Sequence, residues 1–446
     1  MTQVRAGASI GAGLAAARDP RPIARDERIH VVGVAGAGAS AAALLASWAG
    51  ASATGCDPGA PSPYTPALDR AGIAVAPAHD PRHVTTDPPP DRLAVSKALT
   101  AIAPDHPELA AAREHRVPLE AWQQIVADAA HDRLLVGVAG THGKSTTAGW
   151  LVHVLVRAGV DPASFVGALL PAGETGLGVQ ATARRGSGRP FVVEADEYAG
   201  NFDPYRPVVA VLTSAEWDHP DVFADEAAVL DVFEAWIRRF RGVPTMQVPA
   251  LVANVGDPGV ARVVERLIDW PGRVVATALV DGNAAEMTAV AGQMVERFGT
   301  APGRPETVVG RVVSADRGAT MLEVAGLERD GVTVARLPTA GRHNAANALG
   351  VLGAAITLGV DVPNLLAGLA SFPGIGRRLE RKGEAGGVVV YDDYGHHPTA
   401  IRETLLAVRQ REPGRRVWAV YEPLTYHRTA AFLERFAEVL ATADGV

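Results

Sequence analysis

The chain has 446 residues, with 42 Lys plus Arg against 49 Asp plus Glu and a net charge of −7. That length predicts three domains, and the mild acidity excludes a protein that grips nucleic acid mainly by charge. The single cysteine, Cys56, excludes a disulfide framework and any four-cysteine zinc site, and it points to a reduced, cytoplasmic setting. No apolar run reaches the roughly 18 residues of a membrane span, so no membrane partner is expected. Only Lys97, Lys144 and Lys382 among the 42 cations are lysines. In so Arg-rich a chain, each Lys is a candidate for a position where a compact ammonium is preferred over a planar guanidinium.

Residues 1–28 hold small residues, scattered Arg and the pair Pro20 and Pro22, and read as a flexible extension without a secretory signal. Order is expected to start at Ile29–Val34, a short apolar strand. A Gly36-Ala37-Gly38 turn follows, then an Ala-rich helix from Ala41 to Trp48, then a strand over Ala53–Gly55 that ends at Asp57. This β-turn-α-β order opens a doubly wound α/β sheet. Residues 81–92 read as a loop, with a strand at Leu93–Ser96 after it.

A second unit opens at Leu134–Ala139, whose continuous apolar run predicts a buried parallel strand. A helix from Ser145 to Ala158 and strands at Phe191–Glu194 and Val208–Thr213 continue it. A third unit is expected from Pro373. It has strands at Val388–Tyr391 and Val417–Tyr421, and helices at Thr399–Arg409 and Ala430–Leu440.

The strongest chemical signal is Gly140-Thr141-His142-Gly143-Lys144-Ser145-Thr146, between the apolar strand and its helix. Loop amides and a helix N-terminus form a concave anion site. A lysine can reach the outer phosphates from there, and a Ser hydroxyl can hold Mg²⁺. Glu194, Asp196 and Glu197 cluster after a strand and offer the hard oxygens that Mg²⁺ prefers. Asp218-His219 follows the next strand. Gly36-Ala37-Gly38-Ala39-Ser40-Ala41 with Asp57 is close to the dinucleotide fingerprint. Asn344 and Asn347 share a helix face and suit an adenine edge. Asp392-Asp393-Tyr394-Gly395-His396-His397-Pro398 suits a ribose or amine site.

In this order the motifs resemble the Mur ligase family. Ile29–Gly38, Gly55-Cys56-Asp57, His79-Asp80, Gly140–Thr147, Glu194–Glu197, Asp218-His219, Gly341–Asn347, Arg377-Arg378, Asp392–Pro398 and Tyr426–Thr429 carry the likeness, over residues 29 to 446. The resemblance implies a three-domain α/β architecture. A Rossmann-like domain over 29–130 would bind a UDP-linked substrate. A P-loop domain over 131–372 would bind ATP. A Rossmann-like domain over 373–446, incomplete here, would bind an amino acid. The implied reaction is ATP-dependent amide formation between UDP-N-acetylmuramate and L-alanine through an acyl phosphate, in peptidoglycan precursor synthesis. ATP and Mg²⁺ would be its cofactors, and small molecules rather than nucleic acid or membrane its partners.

Carried over by residue, the catalytic set is Lys144, Glu194, His219 and His397. The resemblance puts Gly140, Thr141, His142, Gly143, Lys144, Ser145, Thr146, Asn344, Asn347, Arg378 (or Arg377), Asp392 and Asp393 around ATP. Ser145, Glu194 and His219 would face the metal. Gly36, Gly38, Asp57, His79 and Ser96 would face the UDP substrate, and His397 and Arg428 the amino acid. A murein tripeptide-recycling relative is the nearest alternative, suggested by Glu197-Tyr198 and by the run from Glu216 to Phe223. A nucleotide-binding but weakly active relative is another. An NAD-dependent oxidoreductase built on Gly36, Gly38 and Asp57 leaves Lys144, Glu194 and His396-His397 unexplained. The chain is expected to be a fragment that binds nucleotides yet turns over poorly, since an α/β unit ordinarily adds a strand after its last helix.

Overall fold

The computed structural model describes residues 10–298, 307–328 and 331–446. They form two compact units, one of residues up to 135 with 161–206, the other of 136–160 with 207–446.

In the first unit five parallel strands run in the order Ala74–Ala76, Ser52–Cys56, Arg28–Val32, Arg92–Val95, Leu119–Ala121. This is the expected doubly wound sheet. Its chain order reverses beside Arg28–Val32, so the crevice falls at the carboxyl end of that strand. Ile29, Val31, Leu93 and Val95 are buried, which is why these strands read as apolar runs rather than alternating ones. The helix starts earlier than expected, at Ala37, and its alanines lie buried. Three more strands belong to this unit, in the order Ala181–Arg184, Ala163–Leu170, Pro190–Glu194.

The expected flexible extension is a correction. Residues 1–9 lie outside the described residues, but from residue 10 the segment is tied down. Arg18 donates to Asp128 at 2.7 Å and to Glu120 at 3.1 Å, Arg21 reaches Glu27 at 2.6 Å, and Ile23 is buried. The reason is charge balance. Buried Arg92 alone faces Glu27, Glu120 and Asp128 at 2.8, 2.9 and 2.5 Å. One guanidinium cannot neutralise three carboxylates, and the leading segment brings two more.

In the second unit seven strands run in the order Val332–Leu337, Ala319–Ala325, Thr307–Asp316, Arg273–Val280, Ala250–Asn254, Val209–Leu212, Leu134–Ala139. The first three pair antiparallel and the rest parallel. The phosphate-loop helix is Lys144–Arg157, and Arg342–Thr357 packs beside it with most of its residues buried.

The C-terminal segment departs from the expected sheet. Val388–Asp392 pairs antiparallel with Glu380–Ala385 in a two-stranded hairpin. Val417–Tyr421 forms only a bridge between Trp418 and Gly445, with Val420 fully exposed. A lone bridge lacks the neighbouring strand that sustains a ladder. The helix Pro398–Arg411 forms as expected. The next one is broken into Tyr426–Ala431 and Leu433–Leu440, because Phe432 leaves the helical path to bury its ring against Trp217 and His397.

Candidate active site

The phosphate loop sits where the sequence places it, between Leu134–Ala139 and Lys144–Arg157. Gly143 caps the helix in the left-handed region (φ 81°), and a Cβ there would meet Asn347 Oδ1 at 2.5 Å. Gly140 (φ 134°) presses on Thr213. Both positions therefore require glycine for conformation and for space. Thr141 N donates to Ser214 O at 3.1 Å and His142 N to Ser214 Oγ at 2.8 Å, which shapes the loop from the next strand's end. The first-turn amides of Gly143 to Thr146 point out of the helix's positive end, where Lys144 begins the helix. Arg378 Nη2 donates to Ser145 Oγ at 2.9 Å, bringing a second cation to the same helix end.

Around the loop lies a network centred on Glu216. Its carboxylate accepts from His142 Nε2 at 3.0 Å, Thr399 Oγ1 at 3.0 Å and Arg435 Nη2 at 2.7 Å, with His397 Nδ1 at 3.9 Å. Burial alone would raise its pKa. The His142 bond, the His397 charge and the Arg435 bond outweigh that and hold it well below the usual carboxylate range. His397 caps the helix Pro398–Arg411 and is 1% exposed, its ring 4.8 Å from that of His142. Burial first, and then His142, push its pKa down to about 4, so it is neutral near pH 7. Its Nε2 has no hydrogen-bond partner among the described residues. A buried orphan of this kind marks a place for a ligand atom.

Arg428 and His219 come together, but not as expected. Arg428 is buried and donates to Asp218 at 2.6 Å (Nε) and 3.2 Å (Nη2), and its Nη2 also lies 3.2 Å from His219 Nδ1. The guanidinium thus faces a carboxylate of its own chain rather than an open amino-acid pocket. The fork geometry that would suit a substrate carboxylate suits Asp218 equally.

The hairpin separates two pairs of neighbours that the sequence left ambiguous. Both guanidiniums lie over the Tyr394 ring, Arg377 at 4.8 Å and Arg378 at 5.4 Å, and Arg378 also reaches Ser145. Asp393 accepts from Leu379 N, Gly395 N and Thr404 Oγ1 at 2.8, 2.8 and 3.1 Å, so it shapes the loop. Asp392 lies 3.8 Å from both Arg377 and Lys382. Asn344 and Asn347 do share a buried face, and Asn347 Nδ2 donates to Asn344 Oδ1 at 3.3 Å. Asn344 Nδ2 bonds Ala340 O, three residues inside a helix capped by Gly341.

In the first unit the structure shows what surrounds the UDP-side candidates and Lys97. Gly38 packs under the Trp122 indole, which a Cβ would strike, so this glycine answers to packing. Asp57 accepts from Ala35 N at 3.0 Å and from Gly59 N at 2.7 Å, so it braces the glycine loop rather than offering a free carboxylate. His79 lies 3.1 Å from Cys56 Sγ, in a histidine cluster. Lys97, unexplained by the sequence, donates to Ala199 O at 2.9 Å and Gly200 O at 2.7 Å. Gly36 caps the first helix and Ser96 the helix Lys97–Ile102, each without a side-chain cap bond. Glu194 ends its strand with its carboxylate accepting from Gly167 N at 2.6 Å.

The sequence matches the Mur ligase family catalytic domain over residues 28–133, the Mur ligase middle domain over 138–355 and the Mur ligase glutamate ligase domain over 377–446. It is 37% identical over 422 residues to a UDP-N-acetylmuramate–L-alanine ligase of Mycolicibacterium gilvum, covering 94% of this chain and 81% of that one. The chain belongs to the Mur ligase family. A Frankia casuarinae ligase of the same name is 36% identical, with 95% and 82% covered. Among solved Mur ligases, the UDP-N-acetylmuramate-alanine ligase of Thermotoga maritima superposes with a TM-score of 0.71 at 24% identity, covering 94% of this chain and 84% of its own. A murein peptide ligase of Psychrobacter arcticus gives 0.67 at 25%, covering 89% and 79%.

The candidate site residues did not include Glu216, noted only as the start of the run to Phe223, or Arg435; the structure puts both in the network. Ser214-Ala215-Glu216 follows a buried strand of the phosphate-loop sheet, and that position was the available signal for Glu216. Arg435 sits in a helix whose spacing offers no signal at all.

Proposed function

We propose that this Mur ligase joins the carboxylate of UDP-N-acetylmuramate to the amine of L-alanine, with hydrolysis of ATP to ADP and phosphate. The relatives named above support that substrate pair. The observation that carries the reading is the Arg378–Ser145 bond. It sets a guanidinium at the N-terminus of the helix that begins with Lys144. Two cations and a set of amides at one helix end are suited to a triphosphate.

In this reading Lys144 holds the β- and γ-phosphates, with loop amides of Gly140–Thr146 around them. Arg378 meets the charge that develops on the transferred phosphoryl group. Asn344 and Asn347 lie toward adenine and Asp392 toward the ribose. A muramoyl carboxylate oxygen attacks the γ-phosphorus, the bond to the bridging oxygen breaks, and ADP leaves. The L-alanine amine then attacks the acyl carbon. The C–O bond to phosphate breaks, and phosphate departs as the amide nitrogen loses its proton. Neutral His397, its Nδ1 accepting from Thr399 N, keeps its proton on Nε2 and presents that N–H to the substrates, and Glu216 steadies the rings that position it. His219 and Asp218 fix Arg428, which we assign to positioning.

Mg²⁺ is the ion expected with ATP chemistry. The Ser145 hydroxyl and, separately, the Glu194 carboxylate are hard oxygen donors of the kind it prefers, and Mg²⁺ would neutralise phosphate charge. The His219 nitrogen, beside a guanidinium, suits it less. On the UDP side, Gly36, His79 and Ser96 lie toward the substrate, while Gly38 and Asp57 also shape the loop. Residues 29–130, 131–372 and 373–446 serve UDP substrate, ATP and amino acid respectively. Substrates of this kind place the enzyme in the cytoplasm. Among the described residues no helix is long and apolar enough to cross a membrane.

Arg378→Ala tests the reading. Phosphate release should fall by about 10²-fold, the scale of losing one preorganised transition-state contact. An unchanged rate would remove the Arg378 role.

A further inference from the structure

Away from the phosphate loop, the first unit contains a buried cluster that the ligase reading does not use. His30 projects from the central strand, and Cys56 ends the neighbouring one. His83 lies in the short turn Pro81–His83, and Glu108 in the first turn of the helix Pro107–Glu114. Cys56 Sγ is 3.4 Å from His30 Nε2 and 3.1 Å from both oxygens of Glu108, and His83 Nδ1 is 2.7 Å from Glu108 Oε1. One ligand atom from each of these four residues lies within 4.8 Å of all the others. Zinc bonds of about 2.0–2.3 Å set tetrahedral edges of roughly 3.3–3.8 Å. The Cys56–His30 and Cys56–Glu108 separations are near those edges.

Two observations point to a ligand rather than to a self-contained hydrogen-bond network. His106, only 6% exposed, has no partner for either ring nitrogen among the described residues. Its ring lies 4.4 Å from that of His79, and both share Glu108 with the first four residues. An imidazole buried with both nitrogens unpaired costs free energy unless something binds there. Second, His30 Nδ1 is held by Thr54 Oγ1 at 2.9 Å, which directs Nε2 toward Cys56. A second ring nitrogen anchored in this way is the usual arrangement of a metal-ligating histidine.

We propose that His30, Cys56, His83 and Glu108 form a structural Zn²⁺ site, flanked by His79 and His106. One thiolate, two imidazoles and one carboxylate match zinc's preference for nitrogen and sulfur at tetrahedral geometry. Binding forms the Zn–S bond as the Cys56 S–H proton passes to solvent, and the Glu108 oxygen that received that proton's hydrogen bond turns to the metal. Without metal, burial and then the Glu108 charge drive the thiol pKa upward, so Cys56 stays protonated and donates to Glu108. The ion ties two central strands to the turn and helix beside them. It is separate from the Mg²⁺ expected with ATP.

The test uses the full chain purified without chelator. Elemental analysis should find about one zinc per chain. After zinc removal, Co²⁺ should give tetrahedral visible bands and a near-ultraviolet thiolate-to-cobalt band. Cys56→Ser should abolish the thiolate band, and His83→Ala and Glu108→Gln should each weaken retention of zinc at least tenfold. Chains without zinc whose apo form gives no thiolate band with cobalt would overturn the proposal. If Cys56→Ser fails to fold, the metal content and cobalt spectrum of the unsubstituted chain decide. ATP-dependent phosphate release is measured separately, so failure of the metal site and failure of the ligase reading are distinguishable.

Discussion

Two turns in this molecule look alike in sequence and differ in what they demand. Both run from a buried strand through glycines into a helix. At Gly36-Ala37-Gly38 the second glycine makes room for the Trp122 indole, and the downstream acid, Asp57, is bound to backbone amides of the same loop. At Gly140–Ser145 the glycines make room for Thr213 and Asn347, and Lys144 and Arg378 gather at the helix end. A glycine pattern alone therefore does not separate a packing requirement from a ligand requirement. What distinguishes the second loop is that chemistry-bearing side chains from distant segments converge on it.

The largest effect that would break this contrast is at Lys144. Lys144→Ala should lower phosphate release by about 10²–10³-fold while leaving thermal stability nearly unchanged, because its role lies in the transition state. A comparable loss of stability would make it a structural residue. Next comes Arg428→Ala. It strands the buried Asp218 carboxylate and should cost about 3–5 kcal/mol in denaturant unfolding. Gly38→Ala should then destabilise the first unit by about 1–3 kcal/mol through overpacking against Trp122, with ATP affinity unaltered. If it weakens ATP binding instead, the two loops are not separable as described.

A smaller effect concerns pH. Burial and the Arg428 charge hold the His396 pKa near 3, and burial and His142 hold that of His397 near 4, against an ordinary 6.5. The unfolded chain therefore binds more protons than the folded one over this range. Stability should be full above about pH 6.5 and fall as pH drops toward 4 and 3. Glu216 and Asp218, held below the usual carboxylate range, act with the same sign at lower pH. His397→Gln should flatten the upper part of this slope in melts across pH. A slope unchanged by the substitution would assign the effect to other groups.

Much of this was legible in the sequence, because strand-loop-helix runs and the residues in them are local. Lys144, His397 and the Asn344–Asn347 face could be read from spacing. Charge balance could not. The Arg18 and Arg21 partners lie about a hundred residues away or in a buried triad, so a small-residue tail looked free. The choice between Arg377 and Arg378, or between Asp392 and Asp393, depended on which way each side chain turns from a hairpin whose pairing is not periodic in sequence. Lys97 found two carbonyl partners that only the tertiary fold supplies. Glu216 stood out only as the start of a run and was given no site role, because its importance comes from converging partners on three other segments.

The central claim is that the phosphate loop drives acyl activation for amide formation. The most direct measurement is phosphate release from ATP with UDP-N-acetylmuramate and L-alanine, each omitted in turn and L-alanine also replaced by murein tripeptide. The account predicts sustained release only when ATP, UDP-N-acetylmuramate and L-alanine are all present. Release that ignores UDP-N-acetylmuramate, or that proceeds with tripeptide and not with L-alanine, would contradict it.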